Sequence, residues 1–164
     1  MDKQVFRRQN GRKCRRLSAE RRAAYPGLHH IMIPDFDENG YLPPGIHPAT
    51  IDEVARRFGN GSDVREAEAE SLRWLLPMCG AAGISRLVVD GSFVTDVIEP
   101  NDVDCVLLQG PAYNEASPAA AELEQGLPFL SLQIVRPAAF EYLVESFFGT
   151  DRVGVAKGVV EIVL

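Results

Sequence analysis

Cysteine is scarce in this chain: Cys14, Cys79 and Cys105 are the only three, far apart and without the close spacing of a metal knuckle. A disulfide framework and a cysteine-rich zinc module are thereby excluded, and no redox role is indicated. Cys105 alternates with apolar positions and reads as a small buried residue. Histidine is equally sparse. His29 and His30 have no cysteine or carboxylate at ligand spacing, and His47, between Ile46 and Pro48, is expected to make a structural hydrogen bond, with a substrate-facing role as the alternative. The single tryptophan, Trp74, falls at helical spacing among leucines and is expected at the core or its edge. No apolar run approaches the roughly 20 residues that span a bilayer, and the arginine-rich first residues lack the apolar stretch of a secretory signal. A cytoplasmic protein with no membrane partner is the expectation.

What is present fits one domain. The chain has 164 residues, 46% of them hydrophobic, enough to bury a core. Its net charge of −6 hides a strong asymmetry. Residues 1–24 hold nine Lys or Arg against Asp2 and Glu20, while the rest holds eight against 21 Asp or Glu. A basic head of this kind can be a nucleic-acid arm whose affinity falls with salt. It can equally be a disordered tail, an artefact of an upstream start codon with Met32 as the alternative start, or a segment attracted to the acidic body. The expected division is 1–30 as a basic extension and 31–164 as the domain.

Pro34, Pro43, Pro44 and Pro48 exclude regular helix from the segment 26–48, which reads as an extended arm along the domain edge. Thr50 and Glu53 form a capping box that opens a helix through Phe58. Ser62 or Asp63 caps a second helix, with Ala67, Leu72, Trp74, Leu75 and Leu76 as its apolar face, Pro77 kinking or shortening it, and Gly80 with Gly83 closing it. Strands follow at 86–90, 102–108, 129–136 and 158–163. A short alanine-rich helix covers 119–124 and an amphipathic one carries Phe140, Leu143, Val144, Phe147 and Phe148. The fold class is α+β, a small mixed β-sheet flanked by helices.

The chemistry concentrates where the first of these strands ends. Arg86 to Asp90 is a buried strand, and Gly91-Ser92 lets the backbone turn tightly and offer N–H groups and a hydroxyl to a phosphate. Ten residues after the serine, Asp102-Val103-Asp104 opens the next strand with two carboxylates on one face. Such a pair crowds negative charge and suits a hard cation shared with substrate phosphates.

This pattern resembles the signature of the nucleotidyltransferase superfamily related to DNA polymerase β, which includes small bacterial members of toxin–antitoxin pairs. The resemblance implies a polymerase β-like core, Gly91 and Ser92 on the nucleotide triphosphate, and Asp102 and Asp104 as catalytic residues holding Mg²⁺, with Mn²⁺ as an alternative. Lys157 is a further candidate for the triphosphate. A wider stretch, including residues 33–36, 42–47, 90–95, 100–104, 147–148 and 157–160, resembles a bacterial nucleotidyltransferase-like family of unknown function over about residues 31–164.

In that superfamily a third carboxylate on a later strand serves as general base or metal ligand. Here Gln133 stands about where it is expected, with Asp90 and Glu161 as stand-ins. Two functions follow. One is an Mg²⁺-dependent transferase that moves a nucleoside monophosphate from an NTP to a protein or RNA hydroxyl. The other is a catalytically inactive member acting as an interaction partner, of toxin–antitoxin or defence type.

Overall fold

The computed structural model describes residues 33–164. The expectations for Cys14, His29, His30, Met32 and the basic head lie outside the described residues.

Five strands form one mixed sheet: β1 (Gly45–Ala49), β2 (Ile84–Asp90), β3 (Val103–Gln109), β4 (Leu130–Val135) and β5 (Gly158–Ile162). Their order is β1-β5-β2-β3-β4. β2 is antiparallel to both β3 and β5, whereas β1 runs parallel to β5 and β4 parallel to β3. The helices are α1 (Ile51–Phe58), α2 (Asp63–Ala82), α3 (Pro118–Gln125) and α4 (Pro137–Glu141), the last continuing as a π-helical turn over Tyr142–Phe147. This is an α+β fold, as the alternation of apolar runs suggests.

Strand alternation sends side chains to two separate cores. Leu87, Val89, Cys105, Leu107, Val160 and Ile162 join α1, α2 and α3 in the larger one. Val88, Val106 and Val159 face the opposite way and pack under Phe140, Val144 and Phe148 of the α4 segment. Both faces of the sheet are therefore covered, which is why its central strands read as nearly continuous apolar runs.

Local signals place the helices. Thr50 accepts the Glu53 amide while the Glu53 carboxylate takes the Thr50 N–H at 2.7 Å, and the Ser62 hydroxyl accepts the Arg65 amide. Gly83, left-handed at φ 84°, returns its N–H to Cys79 and ends α2.

Four expectations need correction. The segment 45–49 is more than an arm: it pairs as edge strand β1, which tolerates Pro48 because an edge strand need not donate on both sides. Pro77 neither shortens α2 nor ends it, because it lies on the exposed side, where solvent can reach the carbonyl that loses its donor. Gly80 is likewise inside the helix. Trp74 is 64% exposed, its indole donating to Glu70 one turn back, so it belongs to the surface of α2; the buried stripe is Arg65, Glu68, Ala69, Leu72, Leu75, Cys79 and Ala82. No helix among the described residues is long and apolar enough to cross a membrane.

Candidate functional site

β2 delivers Asp90 to the end of the sheet, and the chain leaves it through Gly91 at φ 82°, ψ −166°, a conformation that residues with a side chain rarely adopt. A Cβ at Gly91 would also collide with the Asp104 carboxylate. The backbone conformation favours glycine here, and any added side chain would also have to displace the Asp104 carboxylate. Ser92 then starts a 3₁₀ turn over Ser92–Val94, locked because Thr95 donates both its N–H and its hydroxyl to the Ser92 carbonyl, at 3.2 and 2.7 Å.

The antiparallel register sets Asp104 opposite Asp90, so both carboxylates lie on the face that also carries Val88 and Val106. Asp104 is half-buried, with its carboxylate against Gly91. Burial raises its proton affinity above that of an ordinary aspartate, the charges of Asp102 and Asp90 raise it further, and Lys157 pulls the other way. Asp102 is therefore within electrostatic reach of Asp104. Of the residues expected at the site, Gly91, Asp102 and Asp104 come together around the turn that Ser92 opens.

Lys157 reaches the same place from the residue before β5, but its partner is Asp90. Its ammonium lies 2.8 and 3.0 Å from the two Asp90 oxygens, with both side chains almost fully buried. Burial raises the Asp90 proton affinity, and the lysine counters it. Glu161 is similarly engaged, taking two 2.8 Å bonds from the Arg86 guanidinium. Neither acid stands free to serve as a third carboxylate.

Gln133 does not lie level with Asp104. The parallel register pairs Asp104 with Ser131 and places the exposed Gln133 beside Val106. Among the described residues no group of three or more His, Cys, Asp or Glu is arranged to hold a metal ion. Two carboxylates nevertheless fit Mg²⁺, which keeps several waters and takes further oxygens from substrate phosphates.

Two functional-looking residues were not singled out from the sequence. Arg65 is buried and donates to the carbonyls of Phe58 and Phe93 at 2.9 Å each, of Thr95 at 3.0 Å and of Ile98 at 3.3 Å, as well as to Val97. It fixes the path of the loop that joins the glycine-serine turn to the acid pair. Glu68, one turn on, is fully buried, and neither of its oxygens has a hydrogen-bond partner among the described residues. Burial moves its carboxyl up to about 7, opposed by Arg65 and reinforced by Asp102. Their signal in the sequence was position: both fall on the stripe of α2 that Leu72 and Leu75 define.

Other candidates resolve plainly. The His47 ring nitrogen Nε2 donates to the Pro43 carbonyl at 2.7 Å, a structural bond. Cys105 is buried, with its thiol pushed well up by burial, and Cys79 is pushed up to about 12; neither is an activated nucleophile.

The model of the Family of unknown function (DUF6932) matches residues 34–163. The chain belongs to that family. The DUF6932 match covers the sheet, all four helices and every candidate site residue, close to the 31–164 stretch picked out by resemblance, and it carries no superfamily assignment. No curated protein and no solved structure matches the chain.

Proposed function

We propose that this chain has a polymerase β-like core and is a nucleotidyltransferase dependent on Mg²⁺ or Mn²⁺, moving a nucleoside monophosphate from an NTP to a hydroxyl of protein or RNA. The observation that carries the reading is the seating of the Asp104 carboxylate against Gly91, an acid beside a tight glycine-serine turn.

Asp102 and Asp104 would hold the cation, and Gly91 with Ser92 would orient the triphosphate. A cation held there would supply positive charge to offset that developing on the phosphate oxygens. In that transfer the acceptor oxygen bonds to the α-phosphorus, the bond from that phosphorus to the bridging oxygen breaks, pyrophosphate leaves, and the hydroxyl proton passes to water. Lys157, tied to Asp90, tempers the negative charge around the acid pair.

With α-labelled NTP, Mg²⁺ and a cell extract as the source of acceptors, labelled product is expected from the wild type and a loss of about 100-fold or more from Asp104→Asn. Absence of labelled product together with absence of a nucleotide-induced rise in Tm would overturn the reading.

One observation favours a second reading. β4 offers Ser131 level with the acid pair, and the buried acids nearby are bound to Lys157 and Arg86. A fold of this type without catalysis, acting as an interaction partner in a toxin–antitoxin or defence pair, fits that arrangement. Biological activity would then survive Asp104→Asn; its loss, with stability and partner affinity intact, would exclude this reading.

A further inference from the structure

The sheet has two edges, and they are built differently. β1 is short, begins with a glycine and contains Pro48, which has no N–H to offer. β4 is Leu130-Ser131-Leu132-Gln133-Ile134-Val135, with no proline, no glycine and no charge. Charges, prolines and bulges are the usual means by which a sheet edge is kept from pairing. β4 has none of them.

The ladder with β3 fixes which groups are open. Val103 donates its N–H to the Phe129 carbonyl at 2.8 Å, so in the parallel pairing Ser131, Gln133 and Val135 turn their backbone groups towards β3. The N–H groups of Leu132 and Ile134 and the carbonyls of Leu130, Leu132 and Ile134 point away from the sheet.

Beside this edge lies a cavity of about 370 Å³. Tyr113, Leu123, Leu132 and Ile134 supply an apolar floor, and Glu115 and Glu124 stand exposed at its rim, with no basic residue in the lining among the described residues. The charges of both glutamates act on the Tyr113 phenol, after burial itself. Open backbone groups, an apolar floor and a rim of one sign therefore occur together.

We propose that the edge of β4, unpaired among the described residues, and the adjoining cavity receive an extended, basic segment of a partner protein, added to the sheet as a sixth strand. Main-chain hydrogen bonds to Leu132 and Ile134 supply the pairing, apolar side chains on the cavity side of the segment fill the cavity, and Lys or Arg side chains flanking them on that same side meet Glu115 and Glu124. The proposal does not depend on the nucleotidyltransferase reading, because the edge lies two strands from Asp90 and uses none of the site residues.

The test uses the full chain and a fluorescent seven-residue peptide with lysine at its first and last positions, valine at the third and fifth and threonine between, so that valine and lysine share one face, followed by anisotropy and by amide hydrogen exchange. Saturable binding is expected, with slowed exchange at Leu132 and Ile134. The surface double variant Glu115→Lys/Glu124→Lys, which leaves the core untouched, should weaken binding about tenfold or more, and the same peptide with glutamate in place of lysine should fail to bind. Replacing Ile134 by proline removes an outward donor and should abolish binding; if that variant does not fold, the charge-reversal pair and the exchange data decide. Binding without protection of Leu132 and Ile134, affinity unchanged by charge reversal, or no saturable binding would each overturn the proposal. So would a dimer by sedimentation whose Leu132 and Ile134 amides are already protected, which would make a second copy the occupant.

Discussion

Asp90 and Glu68 are both buried acids near the same end of the sheet, yet they are handled in opposite ways. Asp90 ends a strand, lies opposite another aspartate and is held by a buried ammonium at 2.8 Å. Glu68 sits within a helix against the larger core and has no hydrogen-bond partner among the described residues. An ionised carboxylate away from water needs a cation or several donors, whereas a neutral one forfeits only its hydrogen bonds. Burial raises the proton affinity of both acids, but at Asp90 the Lys157 ammonium opposes that rise at hydrogen-bond distance, whereas the apolar setting of Glu68 favours the protonated form.

The largest expected effect breaks the first half of that contrast. Lys157→Met strands the Asp90 charge and should cost about 3–5 kcal/mol in urea unfolding. Adding Asp90→Asn should restore much of it, and a double-mutant cycle with no coupling would show that the pair does not support the fold.

The second half breaks with the opposite sign. Glu68→Met removes two unpartnered oxygens and should stabilise by about 1–3 kcal/mol at pH 8. A loss of similar size would mean that Glu68 has a partner in solution.

A smaller effect sharpens the comparison. The Glu68 carboxyl titrates near 4.5 in an unperturbed chain and about 7 in the fold, so between those values the folded state holds a proton that the unfolded state has lost. Wild-type stability should therefore decline as pH rises through 7. The Tm advantage of Glu68→Met should be small at pH 5, grow towards pH 7 and level off by pH 8; an advantage independent of pH would place the ordinary carboxylate value at Glu68.

Much of the fold was legible because it rests on local chemistry. The Thr50–Glu53 capping box, the glycine that ends α2 at position 83 and the alternation through Val103, Cys105 and Leu107 each depend on neighbours in sequence. The misses share the opposite property. Segment 45–49 becomes a strand only because β5, more than a hundred residues later, lies beside it. Trp74 follows helical spacing but falls off the stripe that the core selects, and an exposed face of α2 absorbs Pro77.

The site divides the same way. Gly91, Ser92 and the acid pair were readable from spacing, since a tight turn and two alternating carboxylates are local patterns. That Lys157 would be committed to Asp90, and that Ser131 rather than Gln133 would lie level with Asp104, are matters of register between strands distant in the chain. Arg65 and Glu68 were passed over because charged residues on a helix are ordinarily solvated. An arginine and a glutamate on an apolar stripe were the available warning.

The position of β5 affects when this molecule can form. The strand formed last in sequence lies between β1 and β2, and without it the sheet is two separate pieces. The hairpin of β2 and β3 can form from residues near one another in sequence, but among the described strands β1 joins the sheet only through β5. Closure of the sheet therefore waits on a contact that spans more than a hundred residues, and among the described strands β1 has β5 as its sole neighbour.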